Sequence, residues 1–339
     1  MTDRNSPYRA ALIGCGRIGA DCNPPGVGSS RIQSHAQAYF DHPNTQLVAA
    51  FDLDSARLQS SGERWQIPRL YTDLGSMLRT ERIDILSIST PANTHLEILE
   101  RILKADSVAG VLLEKPIALN VEQAVRMQSF AQKSRTKIAV NYIRRYLPAY
   151  NLIREKYIRG ELGAIQHVRV AYTKGVMNNA SHAIDLLRFF FGDPCDVQVL
   201  TTLGNADQPD PTLHFRLDFH QGFEAWFVAL DAHAYNVFDV EIFGTQGRIL
   251  FGDLGHSCQF YPVVDTNKTH GFMQLEQHPT EDATHLDQAI RHAVDQLVAA
   301  IEKDAPLACT LEDGIAALKL STELINQSKF IGSKRFYGN

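Results

Sequence analysis

The chain has 339 residues, 44% of them hydrophobic and 21% charged, with a formal net charge of −5. This is an ordinary globular composition with length for two domains, and the mild acidity without any Lys/Arg cluster argues against a nucleic-acid partner. No apolar run approaches the ~18 residues that cross a bilayer. The start, "MTDRNSPYRAALIGCG", shows neither the apolar core nor the cleavage site of a signal peptide, so a cytoplasmic location without a membrane partner is expected. Five scattered cysteines (Cys15, Cys22, Cys195, Cys258, Cys309) without CxxC spacing predict reduced thiols and no metal site.

From Tyr8 to about Asn141 short apolar runs alternate with amphipathic stretches. "YRAALIGCG", "QLVAAFD", "DILSIST", "AGVLLEKP" and "KIAVNY" read as strands buried on both faces. "DSARLQSSGERW", "THLEILERILKA" and "NVEQAVRMQSFAQKS" between them have helical periodicity. Such alternation predicts a doubly wound parallel sheet with ligands at the carboxyl ends of its strands. Beyond about residue 160 the pattern changes. In "LHFRLDF", Leu213, Phe215, Leu217 and Phe219 share one face, and "HQG" then "FEAWFVALDA" predict a hairpin. With "AIQHVRVAYT", "DVQVLTT" and "VFDVEIFGTQGRILFGD" these form an antiparallel sheet with one covered face. Two late helices are predicted, from about Leu286 to Glu302 and from Glu312 to Ser328.

Three segments carry chemistry. Gly14, Gly16 and Gly19 in "GCGRIG" follow an apolar strand, and Asp52 ends the next one. This is the context of a dinucleotide turn, in which the glycines permit the tight turn, pyrophosphate approach and close packing. Asp52 would accept hydrogen bonds from the adenosine ribose, favouring NAD, while NADP stays open. The gap from Gly19 to Asp52 is 33 residues, against the usual ~20; Pro24, Pro25, Gly26 and Gly28 mark the excess. In "LLEKPIALN", Glu114 and Lys115 end a buried strand. There a lysine can hold a substrate hydroxyl or move a proton, or simply be a surface lysine beside a proline. In "NNASHAIDLLRFFFGDP", Ser181 or Asn179 is expected to cap a helix ending at Gly192. His182 in its first turn would stay neutral beside the helix N-terminus, with Asp185 one turn on. By itself His182 reads equally as structural or catalytic. Leu186, Phe189 and Phe190 read as core.

Taken in order, "ALIGCGRIG", "LVAAFDLD", "DILSISTPANTHLEI", "VLLEKPIAL", "RRYLPAYNLIREKYIRGELGAI", "SHAIDLLRFFFG", "FGTQGRILF" and "LEDGIAALKLSTELINQS" resemble the Gfo/Idh/MocA oxidoreductase family. The resemblance implies a Rossmann domain over residues 1–142 and a substrate and oligomerisation domain over 143–339. The second is built on a large, mostly antiparallel open sheet, and the helix at about 312–328 is expected to return to the Rossmann domain. It also implies hydride transfer between a nicotinamide and a carbinol carbon of a sugar, cyclitol or nucleotide sugar, in a homo-oligomer (dimer or tetramer) formed through that sheet. Lys115 takes the place of the family's lysine and His182 that of its acid/base. Gly14, Gly16, Arg17, Ile18, Gly19, Asp52, Thr90, Pro91, Asn93, His95 and Glu114 fall on the cofactor side. Asn178 and Asp185 fall on the substrate side. Arg144 and Arg145 could meet an anionic substrate or form structural ion pairs. Many relatives carry Asp where Asn178 stands, and an amide orients a hydroxyl without taking its proton. His35 in "SHAQAY" matches a histidine of the family's first helix, displaced by an insertion over about residues 20–34 that is expected to border the cofactor or the active-site mouth, where Arg31 either touches a phosphate or, as a loop arginine more often does, faces solvent. An NAD-recycling glycoside hydrolase and a non-catalytic nicotinamide-binding protein are the competing functions.

Overall fold

In the computed structural model, which describes residues 6–21, 34–205, 208–265, 271–331 and 333–334, six parallel strands form the first sheet. They are β1 (Tyr8–Ile13), β2 (Thr45–Phe51), β3 (Arg69–Tyr71), β4 (Ile85–Ile88), β5 (Gly110–Leu113) and β6 (Lys137–Val140). Their spatial order is β3-β2-β1-β4-β5-β6, so the order reverses between β1 and β4, where such a sheet opens a ligand crevice. The near-continuous burial of β1, β4 and β5 follows from cover on both faces. The flanking helices are α1 (His35–Asp41), α2 (Ser55–Trp65), α3 (Leu74–Thr80), α4 (Ala92–Ala105) and α5 (Val121–Ala131). Ser34, Asp54, Asp73 and Asn120 each accept a backbone N–H at a helix start, satisfying donors that have no partner inside the helix. The predicted insertion and Arg31 fall largely outside the described residues; the helix resumes at His35.

The chain divides into two compact units, Met1–Tyr146 with Asp287–Ala316, and Leu147–Leu286 with Ala317–Asn339. After α6 (Pro148–Ile158) come β7 (Ile165–Tyr172), α7 (Ser181–Phe191), β8 (Pro194–Leu203), β9 (Thr212–Phe219), β10 (Glu224–Ala229), β11 (Phe238–Gly244), β12 (Gly247–Gly252) and β13 (Ser257–Val264). Then come α8 (Ala289–Lys303) and α9 (Leu311–Ser328). The second sheet runs β13-β12-β11-β7-β10-β9-β8 through its centre, with short strands at its margins. Its pairs are antiparallel except β7 with β10 and Ser333–Lys334 with β8. The alternation in β9 is as predicted: Leu213, Phe215, Leu217 and Phe219 are buried, and Glu224↔Asp218 registers the hairpin with β10. α7 lies on the covered face through Phe190 against Phe251 (centroids 6.0 Å) and Phe191 against Phe223 (5.0 Å). Aromatic pairs of this kind add roughly 0.5–1.5 kcal/mol each beyond area burial. Phe189 departs from the core expectation: it is half-buried and covered by the Arg154 guanidinium at 4.9 Å. Among the described residues no helix is long and apolar enough to cross a membrane.

Candidate active site

The three glycines of "GCGRIG" have different surroundings. Gly14 sits at φ +95°, and a Cβ there would lie 2.8 Å from the Thr90 nitrogen. A Cβ on Gly19 would come within 2.1 Å of the Gly14 carbonyl oxygen, whereas one on Gly16 would meet nothing within 4 Å. Two glycines are therefore required by the protein's own packing, and the middle one leaves space for something else. The Ser89 hydroxyl pins the turn, donating to the carbonyls of Ile13 (3.0 Å) and Gly14 (2.8 Å). Arg17–Asp21 form one wide helical turn.

Gly14 and Gly16 line a cleft of about 680 Å³ at the carboxyl ends of the strands, bounded also by Asp52, Thr90, Pro91 and Asn93. Asp52 is buried there. Its Oδ2 accepts the Cys15 N–H at 2.7 Å and its Oδ1 the Asp54 N–H at 2.9 Å. Carboxylate oxygens have further lone pairs, so Asp52 arrives oriented and still able to accept hydroxyl donors. Arg57, Thr72, Asp73 and Arg101 also line the cleft. They were not singled out from the sequence. The place of two of them, Thr72 and Asp73, is just past the three-residue strand that opens "RLYTDL", which is too short to show a period.

His95 does not line this cleft. It is buried, with Nε2 2.8 Å from the Thr90 carbonyl and Nδ1 3.1 Å from that of Ile117. It ties the loop after β4 to the loop that follows Lys115. Burial lowers its pKa, and although the two carbonyls and the Glu114 charge push the other way, the result stays below the ordinary histidine value.

Glu114 directly follows β5 and is buried. Its Oε1 accepts from Asn141 Nδ2 at 2.6 Å and lies 2.8 Å from His35 Nε2, while Oε2 accepts the Lys115 N–H at 3.2 Å. Burial alone would raise this carboxyl, but the His35 and Asn141 hydrogen bonds and the charges of His35 and Lys115 outweigh it and hold it below the ordinary range. The chain of contacts continues from His35 Nδ1 to Ser87 Oγ (2.8 Å), which donates to Tyr39 Oη (2.9 Å). Lys115 itself is half-buried, on the loop that this carboxylate anchors.

Arg144 and Arg145 lie in the short helical turn Ile143–Tyr146, and both are buried. Arg145 pairs with Asp313 at 3.1 Å and donates to the Ala308 carbonyl at 3.2 Å. Its structural ion pair is thus present.

In the second unit, α7 does not begin as its sequence suggests. Ala180 occupies the cap position and makes no side-chain bond. Ser181 instead donates its hydroxyl to the Met177 carbonyl at 2.7 Å. The expectation of Ser181 or Asn179 as cap is corrected: a wide turn, Val176–Ala180, precedes α7, with Ala180 N–H reaching back five residues to the Gly175 carbonyl at 3.1 Å. His182 is therefore one turn inside a continuous helical run, and the positive end lies farther back than assumed. His182 is half-buried, Asp185 buried and Asn178 exposed. Lys115 belongs to the first unit and these three residues to the second.

Two family models match, one described as an oxidoreductase family with an NAD-binding Rossmann fold over residues 8–142 and one as a GFO/IDH/MocA C-terminal domain over 173–250. The chain belongs to the Gfo/Idh/MocA oxidoreductase family. Its N-terminal part is an NAD-binding Rossmann domain, within a family of NAD(P)-dependent dehydrogenases. An inositol 2-dehydrogenase from Rhizobium meliloti is 24% identical over 92% of this chain and 94% of its own length. A D-apiose dehydrogenase from Paraburkholderia graminis is 26% identical over 59% of this chain, a match that spans 54% of that protein. Among solved structures, a levoglucosan dehydrogenase in complex with NADH and levoglucosan superposes with a TM-score of 0.79 at 16% identity, covering 96% of this chain and 98% of the other. The Gfo/Idh/MocA fold is thereby shared over nearly the whole length.

Proposed function

We propose that the protein oxidises a secondary hydroxyl of a sugar, cyclitol or nucleotide sugar, with NAD as the preferred acceptor. The observation that carries this reading is the open space at Gly16 beside the preoriented Asp52 carboxylate, a fit for a dinucleotide backbone and its ribose. A nicotinamide held there would supply the hydride acceptor for oxidation of the carbinol carbon. Lys115 holds the hydroxyl oxygen through its ammonium, and His182 takes the hydroxyl proton as the C=O bond forms. Asn178 orients the substrate as donor and acceptor, Asp185 supports His182, and Glu114 acts on the cofactor side by fixing the Lys115 loop. Arg17 and Ile18 follow Gly16 on the phosphate side, and Arg144 stands on the substrate side.

The test begins with titration of NAD+ and NADP+ by calorimetry. Absorbance at 340 nm is then followed with NAD+ and myo-inositol, D-apiose, levoglucosan and UDP-N-acetylglucosamine, first individually and then within a wider polyol panel. Lys115→Ala and His182→Ala should each lower turnover by about 10²–10⁴ with little change in NAD+ affinity. Full turnover in both variants overturns the roles, and leaving-group release without NADH gain replaces the dehydrogenase by the hydrolase. The second sheet's polar face, with Trp226 42% exposed, is assigned to self-association. Light scattering on wild type and Trp226→Glu should show a dimer or tetramer weakened by the substitution.

A further inference from the structure

A helix leaves its first four N–H groups without partners inside the helix, so their partners reveal what holds its beginning. For the run that carries His182, the four donors ahead of the first internal bond are the amides of Gly175, Val176, Met177 and Asn178. All four go to one distant tripeptide. Gly175 N–H reaches Thr212 Oγ1 at 3.0 Å and Val176 N–H the Pro211 carbonyl at 3.1 Å. Met177 and Asn178 N–H reach the two carboxylate oxygens of Asp210, at 2.7 and 2.9 Å. The internal ladder begins only afterwards, with Asn179 and Ala180 on the Gly175 carbonyl.

The seat is shaped as well as bonded. Gly175 adopts φ +81°, and a Cβ there would lie 2.3 Å from Asp210 Oδ2 and 2.8 Å from the Asp210 carbonyl oxygen. A side chain at 175 and the carboxylate at 210 cannot occupy this place together. Beneath it, the Tyr172 hydroxyl donates to the Leu213 carbonyl at 2.7 Å and accepts the Leu213 N–H at 2.8 Å. The start of β9 is thereby fixed to the end of β7. The wide turn that results also matters for direction, since one extra residue per turn rotates everything before it by about 100° relative to α7.

We propose that Asp210 is a positioning residue, whose bidentate grip on Met177 and Asn178 sets the direction in which Asn178 and His182 are presented. This rests on the reading of His182 as the acid/base group. Asp210 touches neither substrate nor cofactor in this role.

Two isosteric or small changes test it, Asp210→Asn and Asp210→Ala, with Gly175→Ala as an independent disturbance of the same seat. The first readout needs no substrate: the rate of carbethoxylation of His182 by diethyl pyrocarbonate, resolved site by site by mass spectrometry, with His292 as internal reference. We expect a threefold or greater change at His182 in all three variants and none at His292. The amide introduced by Asp210→Asn has one acceptor oxygen and one donor group, so it loses one of the two bonds and that variant should fall between Asp210→Ala and wild type. The second readout is turnover on whichever polyol supports NADH formation. It should fall about ten- to a hundredfold, with KM for NAD+ within twofold of wild type. Unchanged labelling and turnover in Asp210→Asn and Asp210→Ala overturn the proposal, as does a loss of NAD+ affinity equal to the loss of turnover. If Asp210→Ala does not fold, Asp210→Asn decides alone. If His182→Ala retains turnover, the acid/base reading fails instead, and the labelling rates still report whether Asp210 positions this helix.

Discussion

His35 Nε2 stands 2.8 Å from Glu114 Oε1 although 79 residues separate them in sequence. The contact joins the first helix after the glycine turn to the strand end that presents Lys115. Both side chains are buried, and each supplies the other with one of its few polar partners. Removing one partner of such a pair typically costs about 3–5 kcal/mol. His35→Ala should therefore lower the urea midpoint strongly. His35→Ala combined with Glu114→Gln should recover part of that loss, because the charge left behind is gone. Strictly additive losses in the double-mutant cycle would show that the pair is not coupled.

The glycine turn separates folding from binding. Gly16→Ala meets no atom within 4 Å and should leave Tm within about 2 °C of wild type. It should weaken NAD+ binding at least tenfold, as calorimetry would show. Gly19→Ala must displace the Gly14 carbonyl, 2.1 Å from the new Cβ, and should lower Tm before any ligand is added. Equal effects of the two substitutions on Tm would contradict this division.

Asp52 offers a test of cofactor choice. Asp52→Ser removes a negative charge and the acceptor of the Cys15 and Asp54 N–H groups. NAD+ affinity should fall while NADP+ loses less or gains, so that the ratio of their Kd values moves at least tenfold towards NADP+. An unchanged ratio would remove Asp52 from the ribose.

His95 predicts a pH dependence of stability. Its folded pKa lies below the ordinary value, about 6.5 in an unfolded chain. The unfolded state therefore binds the proton more readily. The stabilisation is full above about pH 6.5 and declines as pH falls from there towards the lower, folded value. Urea midpoints at pH 7.5 and 5.5 should differ in that sense, and His95→Gln should reduce the difference. An identical pH dependence in wild type and variant would assign it to other groups.

Periodicity made much of this fold legible. The alternation of "LHFRLDF" and the buried runs of β1, β4 and β5 are direct consequences of which faces are covered. The order of the second sheet was not, because β7 pairs with strands that follow it by fifty residues or more and no local pattern records such partners. In the site, "GCGRIG", Asp52 and "EKP" were visible because their chemistry is contiguous. The capping of the His182 helix was hidden for the opposite reason: Ser181 and Asn179 are good caps by type, but Asp210, more than thirty residues away, had taken the donors. The cleft residues after β3 were missed because a three-residue strand has no period to read.

The first unit is not finished when its sixth strand is. α8 lies against β5, where a Cβ on Gly110 would strike Leu297 and Ile301, and Gly314 sits against Ile117 and Val140. A bridge from Thr310 to Ala139 extends beyond β6. A ribosome that has released residues 1–146 has therefore delivered a Rossmann sheet whose β5 and β6 lack the cover of α8 and whose β6 edge lacks the bridge from Thr310. About 170 further residues must emerge before the chain supplies the cover. A fragment cut at the end of the first stretch should therefore be far more prone to aggregate than the full chain.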